Sequence, residues 1–130
     1  MQWSIEMILM KQLAVHLTTP ILVVDPRGDL VFYNEAAERI IGKRFDEVGT
    51  IRREDWMAVF QPQDDEGSII APENRPLTRA VDQNESSQLR FWILGLDGVR
   101  REVEGIAFPM FGQSGRKLGA VGIFWQTEAR

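Results

Sequence analysis

Between Gln88 and Gln126 the chain is broken twice by short glycine-rich segments, Gly95-Leu96-Asp97-Gly98 and Gly112-Gln113-Ser114-Gly115. Both are dense in turn formers, and each separates runs with the length and composition of β-strands. The runs are Gln88 to Leu94, Val99 to Met110 and Lys117 to Gln126. Three consecutive strands on such tight connections form an antiparallel meander. This one feature removes most fold classes at once, because a parallel sheet needs long crossovers between its strands.

The opening of the chain adds a second antiparallel unit. Ile21-Leu22-Val23-Val24 is a β-branched run, Asp25-Pro26-Arg27-Gly28-Asp29 is a turn, and Leu30-Val31-Phe32-Tyr33 resumes as a strand. These make a hairpin. Asn34 follows as an N-cap, Glu35 suits the start of a helix dipole, and the helix ends at Gly42. Lys43 to Gly49 is a short charged turn with room for one helical turn. Arg53 to Phe60 reads as a helix, 61–74 as loop, and Arg75 to Gln83 as another helix. Helices grouped between two sets of antiparallel strands give an α+β layout: five strands, short helices on one face, and an apolar pocket beneath them.

Ahead of the hairpin, residues 3–18 are free of glycine and proline, and Pro20 ends the helix they predict. Leu9, Leu13, Leu17, Met10, Trp3, Ala14 and Met7 share one broad arc, interrupted by Glu6. Ile5, Ile8 and Val15 lie on the other side. A helix apolar on more than one side must bury more than one side. The helix either only caps its own domain's core or covers that core with one side and meets a second copy with the other; we expect the second, an amphipathic dimerisation helix over 1–18 followed by a domain over 19–130.

Composition narrows the function. The chain of 130 residues carries 44% hydrophobic and 26% charged residues, ordinary for one globular domain. A net charge of −4, with Arg52-Arg53 and Arg100-Arg101 the only adjacent arginine pairs and acidic residues near both, leaves no dense basic face for direct nucleic-acid binding. The apolar start is too short for a membrane span and lacks a leader pattern, so a cytoplasmic location is expected. With no cysteine, disulfides, zinc–thiolate sites and a flavin–cysteinyl adduct are excluded. Asp64-Asp65-Glu66 is a charge run in a loop, and Glu102 with Glu104 shares one strand face beside Arg100 and Arg101. No phosphate loop, zinc cluster or nucleophile motif stands out, so neither a catalytic site nor a metal site is expected.

The order of elements and several motifs resemble the PAS domain over Thr19 to Glu128. The run from Ile21 to Gly42 is similar to the opening hairpin and first helix of that family. Pro76-Leu77-Thr78-Arg79-Ala80-Val81 is similar to a helix of bacterial members. Asp97-Gly98 with Val103 to Pro109, and Gly119-Ala120-Val121-Gly122-Ile123-Phe124, look like its later strands. The resemblance implies a bacterial sensory or dimerising module without catalysis, relaying a signal to a partner protein in trans. Its closing strand departs from the family, reading Trp125-Gln126-Thr127-Glu128 where members often carry an Asp-Ile-Thr-like element.

His16 is the only histidine. It precedes the fold, whereas haem-binding members usually place their ligand on later helices, so haem is disfavoured. The aromatic set suggests a pocket lined by Trp56, Phe60, Leu77, Val81, Phe91, Phe108 and Phe124, or a core simply filled by them. Trp92 and Trp125 have the opposite parity to Phe91 and Phe124 and should lie on the outer face, under helix 3–18. The expected interface is therefore Trp3, Met7, Met10, Leu13, Leu17, Trp92 and Trp125. Three readings follow: a dimerising signal relay, a receiver of a small apolar, lipid-like ligand, or a small enzyme sharing the α+β layout.

Overall fold

The computed structural model describes residues 5–127. Helix α1 (Ile5–Val15) leads into β1 (Ile21–Val24) and β2 (Leu30–Tyr33). Four short helices follow: α2 (Glu35–Ile41), α3 (Phe45–Val48), α4 (Arg53–Val59) and α5 (Pro76–Gln83). Then come β3 (Ser87–Leu94), β4 (Arg100–Phe111) and β5 (Lys117–Gln126). The five strands form one sheet in the order β2-β1-β5-β4-β3, and every neighbouring pair is antiparallel. The meander and the hairpin thus join through β1 and β5, where Ile21 pairs with Ile123 and Val24 with Ala120.

Local chemistry explains the joints. The Asp25 carboxylate accepts from the amides of Arg27 and Asp29, both at 3.0 Å, which closes the hairpin turn. In α4, the Trp56 indole donates to the Gly28 carbonyl at 2.8 Å, and the Arg53 amide donates to Asp29 at 2.9 Å. These bonds fasten the helix to that turn. Gly42 ends α2 at φ +90°, and a β-carbon there would collide with Asp97.

Asn34 is the joint of greatest reach. It is 1% exposed. Its side-chain oxygen accepts from Ala37 and Ile21 amides, each at 3.0 Å. Its side-chain nitrogen donates to the carbonyls of Ala14 at 3.0 Å and Thr19 at 2.9 Å. One amide caps the start of α2 and satisfies the end of α1 together.

The sheet separates two cores. The inner face and α2, α4 and α5 bury Leu30, Tyr33, Ile41, Trp56, Val103 and Phe124. The outer face meets α1, where Met7 and Ala14 pack with Ile21, Val23, Phe32, Leu118 and Val121. An ion pair between Glu6 and Arg116 at 3.3 Å holds the start of α1 over the sheet.

Two expectations are corrected here. Helix α1 does not cover Trp92 or Trp125. Asn34 pins its end beside β1, whereas Trp92 is on the far edge strand β3. The Trp92 ring lies 4.1 Å from the Arg100 guanidinium, and its indole donates to Asp65 at 3.0 Å. Trp125 stays 38% exposed. The apolar arc of α1 is also divided: Met7, Met10 and Ala14 face the sheet, while Leu9, Leu13 and Leu17 are exposed with Ile5, Ile8 and Val15. Ala14, with no side chain beyond its β-carbon, lets the helix approach closely along that one ridge. Met7 and Met10 are therefore occupied within the chain, and Trp3 lies outside the described residues.

Candidate ligand cavity

An apolar cavity of about 90 Å³ lies between the inner sheet face and the helices. Its walls include Trp56 from α4, Phe60 just beyond it, Leu77 from α5, Phe91 and Ile93 from β3, and Val103 and Ala107 from β4. Phe124 from β5 and Leu22 from β1 also line it. The strand alternation brings these side chains together, since Phe91 pairs with Val103 and Phe124 with Gly105 across the ladder.

Space for the cavity comes from missing side chains. Gly105 and Gly122 sit on its floor. A β-carbon on Gly105 would only touch Phe91 and Phe124 at ordinary distances of 3.4 and 3.5 Å. Glycine in a strand interior is costly, and here it leaves room above the sheet.

Of the seven pocket residues expected from sequence, Trp56, Phe60, Leu77, Phe91 and Phe124 line this cavity. Val81 is buried in the same core but is not on the cavity wall. Phe108 is a correction. The inward residues of β4 are Val103, Gly105 and Ala107, so unbroken alternation sends Phe108 to the outer face. There it pairs with Val121 and packs in the core under α1. The β4–β5 irregularity falls later, at Met110/Phe111, too far along to reverse it.

Sequence reading missed two wall residues that differ in chemistry from the rest. Arg75 and Thr78 both line the cavity and are 8% and 6% exposed. Arg75 Nε donates to the Ile70 carbonyl at 2.9 Å, but its Nη1 is buried without a hydrogen-bond partner. Thr78 Oγ1 is likewise buried and unpartnered. Burial pulls the Arg75 pKa below its ordinary value, opposed by the field of Glu73. The available signal was Arg75-Pro76: proline at the first helical position marks Arg75 as the residue entering α5 from the loop.

His16 is exposed in the turn just after α1, and it is not on the cavity wall. Among the described residues, no group of three or more His, Asp or Glu side chains is placed to hold a metal ion. Among the described residues, no helix is long and apolar enough to cross a membrane.

A family model described as "PAS domain" matches residues 18–125. No curated protein matches the chain. Solved structures share its fold. The PAS domain of a protein from Colwellia psychrerythraea is 16% identical with a TM-score of 0.63, covering 94% of this chain and 97% of that one. The PAS domain of Bordetella pertussis BvgS is 17% identical with a TM-score of 0.62, covering 96% and 88%. The Rhodobacter sphaeroides LOV protein is 12% identical with a TM-score of 0.73, covering 96% and 69%. At these identities the likeness is one of fold, and it agrees with the five-stranded antiparallel sheet and its flanking helices. With its sheet order, its helices and a family model spanning residues 18–125, this chain belongs to the PAS domain family.

Proposed function

We propose that the chain is a cytoplasmic sensory module that forms a homodimer through α1 and relays a signal to a partner protein, with no catalytic step of its own. The observation that carries this reading is the divided surface of α1. One ridge is occupied by the chain's own sheet. Ile5, Ile8, Leu9, Leu13, Val15 and Leu17 remain between 40% and 72% exposed on an 11-residue helix and the turn after it. So many apolar side chains on one short element favour a protein contact. A second copy carries the same surface, and two such helices can bury each other in an isologous interface.

Sedimentation velocity tests this. The full chain should sediment as a dimer. Leu9→Glu with Leu13→Glu should give a folded monomer, because neither side chain is part of the core. Removal of residues 1–18 should also abolish the dimer. A dimer that survives both changes defeats the reading.

The cavity supports a second, compatible reading: the domain receives a small apolar molecule. A ligand between sheet and helices touches Leu22 and Phe124, whose strands β1 and β5 also carry Val23 and Val121 under α1. Binding could therefore bias how α1 sits, provided the ligand favours one arrangement over the other.

A further inference from the structure

We infer that the cavity takes a small monocarboxylate, with its apolar tail over Gly105 and Gly122 and its carboxylate bound by Arg75 and Thr78. The inference deepens the ligand-receiving reading and rests on it. Three observations converge at one wall of an otherwise apolar space. Arg75 is a guanidinium more than nine-tenths buried, with Nη1 unpartnered and no ion pair to any described carboxylate. Thr78, also more than nine-tenths buried, has an unpartnered hydroxyl. Both stand at the start of α5, an eight-residue helix that lacks a side-chain cap.

Each group has the same deficit. A buried cation without a counter-charge is costly, and a buried unsatisfied donor wastes its hydrogen bond. The first amides of a helix add positive potential and favour an anion at that end. A carboxylate is planar and accepts from guanidinium and hydroxyl together, so it relieves all three. A cation or a neutral alkane would leave the deficit in place. Glu73 acts on Arg75 through its field, without forming an ion pair.

The volume sets the tail. If about 150 Å³ holds the six carbons of benzene, about 90 Å³ holds roughly four. Valerate and isovalerate are therefore the probes, with 1-pentanol as the neutral counterpart and pentylamine as the cationic one. The full chain is titrated with each and followed by ¹H–¹⁵N NMR at the Trp56 indole and Arg75 Nε signals. Valerate should shift both signals and bind well ahead of pentanol, and pentylamine should not bind. Arg75→Met should weaken valerate about 10- to 100-fold while leaving pentanol binding intact, which also reports that the variant is folded. Thr78→Val should weaken valerate by a smaller factor in the same direction.

Pentanol binding as tightly as valerate in the wild type overturns the inference and leaves the apolar-ligand reading standing. So does a matched loss of both probes in folded Arg75→Met or Thr78→Val protein, judged by an unchanged NMR spectrum elsewhere. Failure of every probe to bind overturns the ligand-receiving reading itself.

Discussion

Replacing Asn34 with alanine should be among the most damaging single changes in this chain. The side chain is 1% exposed and makes four bonds of 2.9–3.0 Å, to Ala14, Thr19, Ile21 and Ala37. Loss of the helix cap alone costs about 1 kcal/mol. The Ile21 amide, left without its partner, costs a further 1–3 kcal/mol or so. The Thr19 carbonyl is partly accessible and can turn to water, so about 1 kcal/mol applies there. The Ala14 carbonyl keeps the Leu17 amide at 3.1 Å and adds little. The sum is about 3–5 kcal/mol, against a total stability on the order of 5–15 kcal/mol for a domain. The melting temperature should fall by roughly 10–20 °C. Urea denaturation and thermal melts measure this directly. Asn34→Asp separates the two duties: the oxygen still caps α2, but the donors to Ala14 and Thr19 are gone. Its amides in α1 should lose hydrogen-exchange protection while those of α2 keep theirs. An Asn34→Ala cost below about 1 kcal/mol would refute the reasoning, because it would mean that water replaces all four bonds.

Gly119→Ala should disrupt the β1–β5 ladder. Gly119 sits at φ +136°, and a β-carbon there would run into the Val24 carbonyl oxygen; a loss of at least about 2 kcal/mol by urea denaturation is expected. Gly105→Ala should act in the opposite direction, gaining up to about 1 kcal/mol from reduced unfolded-state entropy. The added methyl occupies the cavity floor, so NMR titration should show weaker valerate binding despite the higher stability. Asp82 is bound by Arg53 through a 2.8 Å bond, and that hydrogen bond holds its pKa below the ordinary carboxylate value. Its contribution to stability is therefore present above about pH 4 and lost as pH falls through the lowered folded value. With the Asp82 side chain 45% exposed, Asp82→Asn should cost well under 1 kcal/mol at pH 7 and flatten the acid limb of the stability profile.

Much of the fold was legible because its signals are local. Alternation identified the strands from Gln88 to Gln126, the glycine turns made them antiparallel, and Asn34 and Gly42 marked the ends of α2. Part of the cavity wall was legible in the same way: Trp56, Phe60, Leu77, Phe91 and Phe124 line it, whereas Leu22, Ile93, Val103 and Ala107 went unnamed. Phe108 was misplaced where alternation was not counted through from Val103. The outer tryptophans had the right parity, but parity says which face a residue takes and nothing about what lies over that face.

The amino-acid order by itself determined the elements, their antiparallel pairing within the hairpin and within the meander, and the excess of apolar side chains on the first helix. Periods of two and 3.6 residues and the conformational demands of glycine and proline are properties of neighbours in the chain. Tertiary structure alone decided that Asn34 carries α1 to the β1 side of the sheet, leaving Trp92 to Arg100. It alone brought Arg75 and Thr78, buried and unpartnered, to the wall of an apolar cavity. Those outcomes depend on which distant surfaces meet, and a hydrogen-bond deficit exists only once folding has removed water from the group that carries it.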